Sequence, residues 1–271
     1  MILIGTSGFS YEDWKGEFYP AGISSKDMLS FYCRVFPTVE INSTYYAVPS
    51  RSSIEEMARK TPSDFKFTVK AHKDITHSER ASNKTLRALL TSIEPLKDAG
   101  KLGCVIAQYP WSFKPSNSAR MRLAELSEIM NDIPTVVEFR NSAWGVEETI
   151  ELLRELGLGF CCVDGPELKE LMPRMCAASS NIGYVRFHGR NTQNWWIHEK
   201  TWERYDYLYT EDELAEWIPK ITALSDKTEF LYVFFNNHYR GKSAQNARIL
   251  ARMLSIPVIE MPKPDQPSLF I

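Results

Sequence analysis

The chain has 271 residues, 44% hydrophobic and 24% charged, with a net charge of −2; these values fit a soluble globular protein and exclude a disordered chain or a uniformly basic nucleic-acid-binding surface, though not a local basic cleft. No apolar run reaches the ~18 residues of a membrane span, and no leader is expected ahead of the first strand-like run at Ile2. Five cysteines without a CxxC pair argue against a disulfide framework and for a reducing, cytoplasmic setting.

Eight β-type runs follow in chain order: Ile2–Gly5, Val39–Asn42, Phe65–Lys70, Cys104–Gln108, Thr135–Phe139, Phe160–Val163, Tyr184–His188 and Phe230–Asn236. Most are nearly continuous in apolar character, as strands buried on both faces are. Between them lie stripes of helical period: Met28, Phe31, Tyr32 and Val35; Leu86, Leu89, Leu90 and Ile93; Val146, Ile150 and Leu153; Leu214, Trp217, Ile218 and Ile221. Thr210 and Glu213 form a predicted capping box, and a last helix is expected near Ala244–Leu254.

Strand then helix, repeated eight times at about 30 residues per unit, predicts an α/β fold, a single (β/α)8 TIM barrel over residues 1–256. An open doubly wound sheet is the alternative, but no GxGxxG or P-loop opens a helix. Residues 189–210, after strand seven, read as a long insertion carrying Trp195, Trp196, Trp202, Tyr205, Tyr207 and Tyr209. Aromatics in such an insertion either form a small core of their own or, as Tyr11, Trp14, Trp195, Trp196 and Trp202 could, stack on bases or sugars. Residues 257–271, with Pro262, Pro264 and Pro267, are expected to form an extended appendage.

In such a barrel the site lies at the C-terminal strand ends. Those ends carry Glu40 and Asn42, then Lys70, His72 and His77, then Gln108. Glu138 and Arg140, Asp164, and Arg186, His188 and Arg190 follow, and Asn236, Asn237 and His238 close the circuit. Residues two apart on a strand share a face, so Arg186, His188 and Arg190 are expected on one side. Any single one also reads as a solvated loop start. Charges facing a barrel interior, however, must be paired or hold a ligand.

Lys70, Arg140, Arg186 and Arg190 outnumber Glu40, Glu138 and Asp164, and guanidinium forks suit phosphate or carboxylate oxygens. The expected ligand is therefore anionic, with Asn42, Lys70, His77, Gln108, Arg140, Asp164, Arg186, Arg190, Asn236 and Asn237 as binding residues. Glu40 or Glu138 would act as general base and His188 as acid. A divalent metal held by Glu40, Glu138, Asp164 and His188 is the alternative chemistry. No HxH, HExxH or CxxC spacing supports it, and lysine and arginine crowd the same ring.

Several runs resemble one known family. Gly5-Thr6-Ser7-Gly8-Phe9-Ser10-Tyr11, Thr38-Val39-Glu40-Ile41-Asn42-Ser43-Thr44-Tyr45-Tyr46, Glu138-Phe139-Arg140, Tyr184-Val185-Arg186-Phe187-His188-Gly189-Arg190 and Phe235-Asn236-Asn237-His238 are similar to the YecE-like proteins of unknown function (domain of unknown function 72). The resemblance runs from Ile2 to about Leu254 and implies a TIM barrel, with no established activity. Phe9 replaces the family's usual Trp, and Tyr109-Pro110-Trp111 stands where paired prolines are common.

Three functions compete. The first is nucleic-acid processing or repair, with a phosphate-bearing ligand or nucleic acid as partner and nuclease-like hydrolysis as the reaction. The second is a small-molecule enzyme acting on a sugar or phosphorylated metabolite. The third is a non-catalytic binding module. The first draws on the tail, where Gln266, Leu269 and Phe270 resemble the peptide that docks repair proteins on the bacterial sliding clamp. No membrane partner is expected.

Overall fold

Eight parallel strands close on themselves in sequence order, β1 (Ile2–Ser7), β2 (Thr38–Ile41), β3 (Lys66–Lys70), β4 (Leu102–Gln108), β5 (Thr135–Glu138), β6 (Gly159–Asp164), β7 (Ile182–Phe187) and β8 (Phe230–Phe235), with β8 paired to β1. The source is a computed structural model, which describes residues 1–78 and 82–258. The expected (β/α)8 barrel is therefore the fold, with no strand boundary moved by more than two residues.

The helices are α1 (Met28–Tyr32), α2 (Arg51–Arg59), α3 (Lys73–Thr76), α4 (Asn83–Asp98), α5 (Asn117–Ile129), α6 (Glu147–Glu155), α7 (Glu211–Ala215), α8 (Ile218–Ser225) and α9 (Lys242–Met253). Ser50, Ser82 and Ser116 cap α2, α4 and α5 by accepting from the backbone N–H three residues on, which satisfies an otherwise orphaned donor. Thr210 and Glu213 form the expected capping box at α7.

Three expectations are corrected. Val146 is the exposed residue before α6, and the buried stripe runs through Thr149, Ile150 and Leu153. The stripe through Leu214 and Ile221 belongs to two short helices, because Pro219 lacks the N–H to continue α7 and instead starts α8. Among the described residues the β6–β7 connection has no α-helix, consistent with Pro166 and Pro173 within it.

The two faces of each strand have separate roles. Leu3, Cys104, Ile106, Val136, Cys161, Val163, Tyr184, Tyr232 and Phe234 pack together inside the barrel. Their sequence neighbours, such as Ile4, Val105, Val137, Cys162, Val185 and Val233, pack outward into the helix layer. Cys161 and Cys162 thus point to opposite sides, and all five cysteines are free. Among the described residues, no helix is long and apolar enough to cross a membrane.

Candidate functional site

Above the apolar plug, the inward-facing positions become charged. Glu40 follows Thr38 on β2, Glu138 follows Val136 on β5, and Arg186 follows Tyr184 on β7, so a period of two carries all three into the barrel. Arg186 Nη1 donates to Glu138 Oε2 over 2.5 Å, and Nη2 donates to Glu40 Oε1 over 2.7 Å. The Tyr184 hydroxyl donates to the other Glu40 oxygen at 2.6 Å, and Ser7 Oγ lies 3.3 Å from Arg186 Nη2. All of these groups are buried. Isolated, each charge would be very costly here; joined, they make a neutralised floor.

His188 completes that floor. Its Nε2 lies 3.1 Å from Glu138 Oε1, and its Nδ1 lies 3.0 Å from Asn236 Nδ2. Burial pushes the Glu138 carboxyl up, but Arg140, Arg186 and His188 outweigh that and hold it well below the usual range. A carboxylate only accepts, so the imidazole proton sits on Nε2 and Asn236 donates to Nδ1. Burial and then the Arg140 charge push His188 down to about 3, so the ring is neutral. Both ring nitrogens are occupied, and both carboxylates are tied to Arg186. The expected general base and acid thus sit in one ion-paired and hydrogen-bonded network.

Lys70, Arg140, Asn42 and His77 lie at or beyond the C-terminal ends of their strands. Lys70, at the end of β3, donates to Gln108 Oε1 over 2.9 Å and sits 4.6 Å from the centre of the Tyr45 ring. Burial, then Arg186, push its amine down to about 7 despite the opposing Glu138 and Glu40 charges. Arg140 Nε is 2.7 Å from Glu138 Oε1 but poorly aimed at it, and among the described residues its guanidinium donates no hydrogen bond. Asn42 Oδ1 is likewise buried without a donor. His77 stands at the rim, edge-on to Tyr45 with 5.2 Å between rings, its Nδ1 2.8 Å from the Thr76 hydroxyl. Partial burial and the charges of Lys70 and Arg140 push it down to about 4. His72 instead caps α3, accepting from the backbone N–H of Asp74.

Asp164, Arg190 and Asn237 do not join this group. Asp164 follows Cys162 on β6 and so faces the helix layer. There its carboxylate accepts from the Trp217 indole at 2.7 Å, the Tyr209 hydroxyl at 2.7 Å and Arg190 Nη2 at 2.8 Å. Arg190 has inward parity by count, but Gly189 at φ +90° turns the chain, and the guanidinium swings out to Asp164 and Glu216. Asn237 also points outward, donating to Tyr207 O and Asn246 Oδ1 at 2.8 and 2.9 Å. Of the four residues of the alternative metal chemistry, Glu138 and His188 meet, while Asp164 lies on the other face and Arg186 stands between the two glutamates. No group of three acidic, histidine or cysteine side chains suited to a metal occurs among the described residues.

The insertion does two things. Its Trp195 is buried against Tyr205, whereas its Tyr209 packs on Phe187 as part of the main core between strands and helices. It also arches over the mouth. Tyr205 lies 6.2 Å from His188 and 6.0 Å from His238, Trp202 stacks on Tyr239 at 4.0 Å, and Trp196 reaches Trp111 of the β4 loop at 6.1 Å. Tyr11 stacks on His238 at 4.8 Å on the opposite side. Tyr45 and Tyr184 are not among the site residues expected from the sequence, and Tyr205 is named there only among the aromatics of the insertion. Tyr184 shares the parity of Arg186 and was legible; Tyr205 was not, because loop geometry has no period. The tail residues Gln266, Leu269 and Phe270 lie outside the described residues.

The family described as Protein of unknown function DUF72 matches residues 3–268 of this chain. The UPF0759 protein YunF of Bacillus subtilis (strain 168) is 31% identical over 274 residues, covering 94% of this chain and 95% of its own length. The UPF0759 protein YecE of Escherichia coli (strain K12) is 32% identical over 117 residues, 42% of this chain and 40% of its own. Among solved structures, a DUF72 family protein from Thermotoga maritima gives a TM-score of 0.87 at 41% identity, covering 94% of this chain and 99% of that one. Another from Enterococcus faecalis gives 0.84 at 24% identity over 96% and 97%, a likeness of fold alone.

Proposed function

The chain belongs to the DUF72 family, and from that premise we propose that its barrel mouth binds a small anionic ligand, a phosphate or carboxylate compound. One observation carries this reading. Two carboxylates, Glu40 and Glu138, face three cations, Arg186, Arg140 and Lys70, and the guanidinium of Arg140 keeps donors unspent at the mouth. A planar fork with free N–H groups beside an amine suits oxyanions. The arch over the mouth, with Tyr205 above His188, favours a small molecule over a duplex. Calorimetry with inorganic phosphate and with glucose tests it. Phosphate binding that weakens at least tenfold in Arg140→Gln supports the reading; glucose binding with phosphate ignored rejects it.

A second reading, nucleic-acid processing, draws on the Trp111–Trp196 pair, in which Trp196 is half exposed beside the cationic mouth and available to stack on a base. It also draws on Gln266, Leu269 and Phe270 as a sliding-clamp peptide. Its tests are salt-dependent binding to a single-stranded oligonucleotide, and clamp binding that a Leu269→Ala, Phe270→Ala variant loses. Salt-independent or undetectable binding in the first and equal binding by both proteins in the second remove it.

A further inference from the structure

We propose that Lys70 is a reacting amine that condenses with the carbonyl carbon of a ligand whose anionic group is held by Arg140. The inference rests on the anion-site reading and names the substrate class, an anionic aldehyde or ketone. Its basis is the company Lys70 keeps. The side chain ends β3 on the inward face, partly buried, and its nitrogen has a neutral amide oxygen, Gln108 Oε1, at 2.9 Å. Among the described residues no carboxylate lies within ion-pairing distance of it. The two nearby carboxylates are already committed, Glu40 to Arg186 and Tyr184, Glu138 to Arg186, Arg140 and His188.

The charges around the amine are divided, and burial is the largest influence against its protonation. Arg186 from β7 and Arg140 beyond the end of β5 are cationic, Gln108 from β4 is neutral, and His77 is a neutral imidazole at the rim. Glu40 and Glu138 act in the other direction, as does the face of Tyr45. Burial decides the sum and brings the amine to about 7. A lysine that is desolvated and beside other cations is the kind of amine that forms Schiff bases near neutral pH.

The chemistry balances without a co-reactant. The Nζ lone pair forms a bond to the carbonyl carbon, and the C=O π pair moves to oxygen, which takes one amine proton. The nitrogen lone pair then forms the C=N bond as the C–O bond breaks, and the second amine proton leaves with that oxygen. One water departs for each imine formed.

The test uses the full-length protein, pyruvate or dihydroxyacetone phosphate as separate probes, and sodium borohydride to reduce any imine to a stable amine. Peptide mapping by mass spectrometry locates the adduct. Expected is about one adduct per chain on the Lys70 peptide with at least one probe, suppressed by excess phosphate and lost at least tenfold in Lys70→Arg. The productive probe separates a carboxylate from a phosphate anchor. Competitive acylation across pH is a second measurement on unaltered protein, expected to place the Lys70 midpoint near 7. No Lys70 adduct with either probe, or labelling of surface lysines alone, overturns the proposal. Phosphate calorimetry on the same preparation separates the failures: retained phosphate binding without an adduct sinks the imine alone, and absent phosphate binding sinks the anion site as well.

Discussion

Arg186 and Glu138 meet at 2.5 Å in the centre of the barrel, with both side chains out of water. The guanidinium is spent on protein carboxylates, so Arg186 supports the mouth from below. Replacing it by Met strands two buried carboxylates and is expected to lower the unfolding free energy by about 3–5 kcal/mol. Chemical denaturation measures this. A second variant that also carries Glu40→Gln and Glu138→Gln should recover much of the loss. A single Arg186→Met variant with unchanged stability and abolished phosphate binding would mean that the residue serves the ligand directly.

The neutral state of His188 gives stability a pH dependence. Its folded pKa, about 3, lies below the ordinary 6.5, so the unfolded chain binds a proton that the folded chain refuses. Its contribution is complete above 6.5 and declines as pH falls toward 3, at about 1.4 kcal/mol per pH unit. Between pH 6 and 5 exposed carboxylates scarcely titrate, and His188→Gln should flatten the slope there. An unchanged slope in that window would show that the imidazole is charged in the folded protein.

Asp164 belongs to the outer wall. Asp164→Asn weakens its charge-assisted bonds to Arg190, Trp217 and Tyr209 and should cost about 2–3 kcal/mol. Phosphate affinity of the folded fraction should be unchanged, since the side chain faces away from the mouth. A tenfold loss of affinity at full stability would place it in the site after all.

Gly189→Ala tests how the chain leaves β7. The residue adopts φ +90°, and an added Cβ would come within 2.8 Å of Tyr207 Cβ. A loss of about 2 kcal/mol is expected. Tryptophan fluorescence should report movement of Trp195 and Trp196, because Arg190 and the insertion take their direction from this turn. An alanine variant with wild-type stability and emission would show that the turn is not under this constraint.

The barrel and the inward trio Glu40, Glu138 and Arg186 were legible in the sequence because both rest on local regularities. Strand and helix periods repeat along the chain, and a side chain two residues from another on a strand must share its face. Asp164 was not legible in this way. The run Gly159-Phe160-Cys161-Cys162-Val163-Asp164 is buried on both faces, so nothing in it says which parity points inward. Arg190 misled because a single left-handed glycine ended the strand before the count reached it. Nor does the sequence tell a guanidinium that binds a ligand from one that neutralises a carboxylate. Arg186 lies 146 residues from Glu40 and 48 from Glu138 along the chain, while Arg140 sits beside the same Glu138 with donors to spare. Only closure of the barrel brings those charges to one level, and the short distances across it decide which cations are spent on carboxylates and which keep unbonded donors.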